Sequence, residues 1–230
     1  MQFHQFSPKE LIGPLNEVER KNAPDTLFVA GDVGLCRNFP RVSVIGTRKV
    51  SPLGVRSTEN LVRLLVKRGV AVVSGLALGV DACAHKTAIE AGGKTIAVLG
   101  TPLDQFYPKE NADLQRRIMA EHLAISQFRG GVAVQKANFP MRNRTMALIS
   151  HATVIVEAGE RSGTITQGWE ALRLGRPLFI LESLMKRTDI EWPRKMASYG
   201  AQALTYATAE VLFESLPQGN FCGDLAEVTF

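Results

Sequence analysis

Cysteine is scarce in this 230-residue chain. Cys36, Cys83 and Cys222 are three in number and far apart, which argues against a disulfide framework and a paired-cysteine metal site. The four histidines show no ligand spacing such as HxxxH, so neither a metal nor an organic cofactor is implied. No apolar run approaches the roughly 20 residues that cross a bilayer. The N-terminus, with His4, Lys9 and Glu10 among scattered apolar residues, has no signal-peptide core. A soluble, cytoplasmic protein without a membrane partner is the expectation. No phosphate-binding GxxxxGK[ST] is present, and Gly75–Gly79 does not complete a GxGxxG. The most telling scarcity is local. No carboxylate occurs between Glu121 and Glu157, while Arg129, Lys136, Arg142 and Arg144 are all cationic.

What is present reads as an α/β protein. Short β-branched runs at Val42–Ile45, Val70–Val73, Thr95–Leu99, Leu123–Ser126, Thr153–Val156 and Pro177–Leu181 alternate with helical patterns. The helices are expected at Pro52–Arg68, Val80–Ala91, Asn111–Ala120, Met141–Ser150 and Gly163–Leu174. Such alternation predicts βαβ units and an extended Rossmann-like, doubly wound, mostly parallel sheet in a single domain. Residues 1–40 read as an extension packed on a core of residues 41–182, with Thr26–Val29 as an extra edge strand. Residues 183–230 read as a C-terminal extension, with a short helix at Thr208–Ser215.

In such a sheet, ligands bind at the carboxyl ends of the strands. Polar and glycine residues collect there: Gly46, Thr47 and Arg48 after one strand, Ser74 and Gly75 after the next, and Arg161, Ser162, Gly163 and Thr164 after a later one. Glycines let backbone amides approach a phosphate, and helix N-termini favour an anion. The stretch Asn138-Phe139-Pro140-Met141-Arg142-Asn143-Arg144 combines forked cations for phosphates with a flat ring for bases. It also reads as a helix start, with Pro140 near the first position and the arginines in solvent. Asp81 and His85 share a helix face as a catalytic pair or as a helix-terminal Asp and a core His. Glu157 reads as a general base or as an orienting partner for an arginine.

With these residues assembled, the chain resembles the DNA-processing protein A (DprA, or Smf) family over roughly residues 11–182. The resemblance rests on Val44–Arg48, Ser74–Asp81 with Ala84-His85, and Thr95–Gly100. It continues through Leu103-Asp104, Tyr107-Pro108, Asn111, Asn138–Arg144, Val156–Ala158 and Arg161–Gly163. It implies a non-enzymatic protein that dimerises, binds single-stranded DNA in a basic pocket, protects incoming DNA in natural transformation and helps load the recombinase RecA. Arg48, Phe139, Arg142 and Arg144 would line that pocket, with Lys136 at its mouth. The wider superfamily implies two alternatives: a small-nucleotide sensor or defence protein, and a LOG-like nucleoside monophosphate phosphoribohydrolase. The hydrolases carry a glutamate where this chain has Gln167, and an amide cannot act as a general base.

Overall fold

The computed structural model describes residues 3–205 and 207–217. Among these residues nine strands form one sheet: β1 (His4–Phe6), β2 (Leu27–Gly31), β3 (Arg41–Gly46), β4 (Ala71–Ser74), β5 (Thr95–Leu99), β6 (Leu123–Ser126), β7 (Ala152–Glu157), β8 (Leu178–Leu181) and β9 (Gln202–Leu204). The helices are α1 (Pro8–Ile12), α2 (Glu17–Asn22), α3 (Pro52–Lys67), α4 (Val80–Glu90), α5 (Ala112–Glu121), α6 (Asn138–Ile149), α7 (Gly163–Arg173), α8 (Glu182–Met185), α9 (Trp192–Ala197) and α10 (Ala209–Glu214).

Strand order is β1-β2-β6-β5-β4-β3-β7-β8-β9. From β6 to β9 all neighbours are parallel, while β2 runs antiparallel to both β6 and β1. The chain runs outward from β3 to β6, then returns to lay β7 on the other side of β3. That reversal opens a crevice at the strand ends.

The central strands are mostly apolar because both faces are covered. Val42, Val44, Val72 and Val154 point to the side of α3 and α4, whereas Ile45, Val73 and Ile155 meet α6, α7 and α9. Alternation along each strand divides one run of apolar residues between two cores. Trp192 and Trp169 join the second of these cores as packing residues.

Two expectations need correction. The strand at the N-terminus is not an edge: β2 lies between β1 and β6, with Leu27 and Val29 fully buried. His4–Phe6 carries no strand signal in the sequence, because its three largely exposed residues show no alternation. Beyond β8 the sheet continues into β9, whose register pairs Phe179 with Gln202 and Leu181 with Leu204. Only Leu204 of its three residues is buried, so its hydrophobic signal is one residue long. Cys222 lies outside the described residues.

Candidate nucleic-acid interface

A cavity of about 510 Å³ opens where the strand order reverses, at the carboxyl ends of β3, β4 and β7. One wall is the turn after β3, with Gly46, Thr47 and Arg48. A second is the first half of α6, with Phe139, Pro140, Arg142, Asn143 and Met146. A third is the start of α7, from Arg161 to Thr164 with Thr166 and Gln167, and Ile45, Ala77, Asp81 and Gly159 complete the lining.

Local bonds fix these walls. Ser162 caps α7, its hydroxyl accepting from the Thr164 amide at 3.2 Å. The Thr164 hydroxyl donates to the Gly46 carbonyl at 3.1 Å, and Asn143 Nδ2 donates to the Gly163 carbonyl at 3.2 Å. The first turn of α7 is thereby tied to β3 and α6. Helix α6 begins at Asn138, so Phe139 and Pro140 lie in its first turn, where a missing proline N–H breaks no intrahelical bond.

The floor of the cavity is a polar network around Arg142. Arg142 is only 6% exposed. Its Nη1 donates to the Gly75 carbonyl and, at 2.9 Å, to the Val98 carbonyl, while Nε donates to Asn143 Oδ1 at 3.0 Å. A Cβ at Gly75 would overlap that guanidinium, so a side chain here would have to displace Arg142 from its carbonyls. Burial lowers the Arg142 pKa, and the facing Asp81 opposes that shift. Burial raises the Asp81 carboxyl, against the opposing pull of Arg142. Beside them, Gln167 Nε2 donates to Ser43 Oγ at 3.2 Å, and Ser150 Oγ donates to the same oxygen at 3.1 Å.

The rim is different. Arg48 and Arg161 are exposed, and among the described residues neither makes a hydrogen bond or ion pair. The Arg48 guanidinium carbon stands 5.8 Å from the centre of the Phe139 ring, within cation–π range. Phe139 packs down on Gly100, where a Cβ would come within 2.7 Å of the ring.

Several sequence expectations change. Arg144 does not join Arg142. Two helical positions lie about 200° apart around the axis, so Arg144 points away and pairs with Glu170 at 2.9 Å. Arg142 itself serves backbone carbonyls. Ser74 turns its hydroxyl into the sheet, donating to the Val44 carbonyl at 2.7 Å. The Thr47 amide donates to the Glu157 carbonyl at 2.6 Å and is not free for a phosphate. Asn138 is buried and does not line the cavity, whereas Lys136, expected at the mouth and not in the wall, is exposed. Glu157 orients no arginine: its Oε2 accepts from the Ser51 amide at 3.1 Å and the Ser51 hydroxyl at 2.9 Å, holding the residue that caps α3.

His85 lies in the core, away from the cavity. The Thr95 hydroxyl donates to the Val72 carbonyl at 2.9 Å, so His85 Nδ1, 2.7 Å from Thr95 Oγ1, must be the donor to it. Among the described residues Nε2 has no partner, and burial holds the ring's pKa down to about 3. Asp81, Met146, Gly159, Thr166 and Gln167 line the cavity without having been assigned to it. Helical spacing carried the signal for two of them: Met146 follows Arg142 by four residues, and Gln167 follows Gly163 by four.

A family model for DNA recombination-mediator protein A matches residues 6–216. The DNA processing protein DprA of Streptococcus pneumoniae is 40% identical over 179 residues, covering 78% of this chain and 63% of that protein. Protein Smf of Escherichia coli is 34% identical over 216 residues, covering 94% of this chain and 55% of the relative. The chain thus spans between about half and two thirds of the length of these relatives. Among solved structures, DNA processing protein A from Helicobacter pylori, studied for its single-stranded DNA binding mode, superposes with a TM-score of 0.79 at 26% identity. That match covers 94% of this chain and 98% of the other. The molybdenum cofactor carrier protein of Chlamydomonas reinhardtii, at 21% identity and a TM-score of 0.53, covers 77% of this chain and 98% of its own, and shares the fold alone. With a family model spanning β2 to β9 and every wall of the cavity, the chain belongs to the DNA recombination-mediator protein A family.

Proposed function

We propose that this chain binds single-stranded DNA without performing chemistry on it, and serves DNA processing in recombination and uptake. One observation carries the reading: a cavity of about 510 Å³ at the sheet's switch point has free cations at its rim, Arg48 and Arg161, with Phe139 beside them. Guanidiniums suit phosphates, and the ring suits a base that is already unstacked. The relatives and the Helicobacter pylori structure support this assignment. Among the described residues lining the cavity, Asp81 is the sole carboxylate, and it is buried against Arg142. That environment disfavours nucleotide hydrolysis, as does Gln167, whose amide is bonded to Ser43. No helix among the described residues is long and apolar enough to cross a membrane.

A homodimer and a RecA partner belong to the same proposal. The 66% exposed Tyr199, set edge-on against Trp169, supports a self-association face. A sedimentation run giving a monomer at micromolar concentration would remove the dimer. Failure to retain RecA on strands already coated with the protein would remove that partner. A second reading, a small-nucleotide site, is favoured by the cavity's volume, which accommodates a mononucleotide.

The deciding experiment is a fluorescence-anisotropy titration with a labelled ~20-nucleotide poly(dT) at two salt concentrations, because phosphate contacts make affinity salt-dependent. Unlabelled nucleoside monophosphate serves as competitor. Salt-sensitive binding that the mononucleotide does not displace is the expected result. Displacement at comparable concentration would assign the cavity to a small nucleotide instead.

A further inference from the structure

Beyond Phe139, away from the large cavity, lies a second hollow of about 60 Å³, with Leu78, Gly100, Thr101 and Tyr107 in its lining. Arg48, Ala77, Phe139 and Arg142 line both spaces, so these residues form the partition between them. The smaller hollow has room for a few water molecules and not for a nucleobase. Its edge, however, is an aromatic surface. Tyr107 remains 49% exposed, with its ring centre 5.6 Å from that of Phe139 at an interplanar angle of 48°. Leu78, 38% exposed, stands beside it.

The loop that carries Tyr107 is held from several directions. Asn111 Nδ2 donates to the Leu76 carbonyl at 2.9 Å and the Ala77 carbonyl at 3.3 Å. Thr101 Oγ1 donates to the Gln105 carbonyl at 3.2 Å, and Ser126 Oγ donates to the Thr101 carbonyl at 2.7 Å. Gln115 Nε2 reaches the Leu103 and Gln105 carbonyls at 3.3 and 3.2 Å. A half-exposed aromatic on so constrained a loop loses little freedom when something flat is laid on it.

The geometry points to Tyr107 as a second base-stacking platform, receiving the base adjacent to the one held at Phe139 on the same DNA strand. This rests on the single-strand reading above. Arg48, standing over Phe139 between the two spaces, is placed to meet the phosphate that joins the two nucleotides. Leu78 offers apolar surface to the edge of the second base. The strand therefore leaves the large cavity across Phe139 toward Tyr107, on the side of β5 and away from β8.

The test compares the intact chain with Tyr107→Ala on a labelled ~20-nucleotide poly(dT) and on a strand of equal length whose sugars carry no bases, both at low salt, where phosphate contacts alone hold a strand. On poly(dT), Tyr107→Ala should bind about tenfold more weakly, or about 1.4 kcal/mol. Its salt slope should be unchanged, since the ring touches no phosphate. Tyr107→Phe should bind like the parent, and the base-free strand should not distinguish Tyr107→Ala from it. Equal poly(dT) affinity in Tyr107→Ala would overturn the platform. So would an equal loss on both strands, which would make Tyr107 a mere prop for Phe139. Should Tyr107→Ala lower the melting temperature, Tyr107→Leu keeps an apolar contact with Phe139 but no ring, and the same comparison decides. A parent chain that binds neither strand would bring down the single-strand reading itself, an outcome distinct from a parent that binds while the variants do not differ.

Discussion

Arg142 and Arg48 stand on the floor and the rim of one cavity, and they use the same side chain in opposite ways. Arg142 donates through Nη1 to carbonyls of two strand ends and through Nε to Asn143, and it faces a buried carboxyl. Arg48 has no such partner and leans on an aromatic ring. A buried charge must be satisfied by the protein, whereas an exposed one is left for a ligand. The floor therefore maintains the shape of the site, and the rim is what a strand would meet.

Removing the floor arginine is the strongest way to break this comparison. Arg142→Ala would leave Asp81 buried without its counter-charge and two carbonyls without donors. About 3–5 kcal/mol of stability should go with it. Urea unfolding measures the loss. A variant as stable as the parent would show that the floor is not a structural network.

The core next to the floor gives an acid-dependent effect. With His85 held at about 3 when folded and an ordinary value of about 6.5 when unfolded, the unfolded chain takes up the proton first. The stability is fully present above pH 6.5 and is lost as pH falls toward 3. The slope is about 1.4 kcal/mol per pH unit from this one ring. His151, whose pKa burial also pushes down to about 3 with Arg41 and Arg176 adding to the effect, acts in the same direction. Urea midpoints between pH 6.5 and 5 should therefore fall, and His85→Leu should flatten the slope by about one proton. An unchanged slope would mean that His85 is solvated.

The fold was largely legible because the central strands announce themselves as unbroken apolar runs, such as Val42–Ile45 and Thr153–Val156. Glycines and polar residues then mark their carboxyl ends. What the sequence concealed was direction. Arg142 and Arg144 look alike in a row of letters, and only the helical turn between them places one under the sheet's edge and the other beside Glu170. Ser74 and Glu157 were similarly visible as polar groups at strand ends, yet each answers a backbone or hydroxyl neighbour from a distant part of the chain. Short β9 was hidden for another reason: its pairing comes from the backbone of β8, and sequence pattern records side chains only.

The rim is tested by removing its two cations together. Arg48→Ala with Arg161→Ala should fold normally, since neither residue bonds to the described chain. Each phosphate contact contributes about 0.7 to the salt slope on a single strand, so the pair should lower it by about 1.4. The same loss should appear on every sequence tested, because phosphates carry no base identity. A full slope in the double variant would mean that the strand enters elsewhere.

Arg144 sharpens the contrast with the smallest effect. Its side chain is 55% exposed, and Glu170 keeps a second partner in Arg173 when Arg144 is removed. Glu170 is itself buried, but Arg173 still donates to it, so Arg144→Ala should cost about 1 kcal/mol and shift the urea midpoint modestly. Because its helix face is turned from the cavity, the salt slope for poly(dT) should stay at the parent value, unlike that of the Arg48 and Arg161 pair. A fall of about 0.7 would place a phosphate on the outer face of α6 and extend the DNA track past the cavity. The slope therefore reports which face of this helix the strand follows, independently of how tightly it binds.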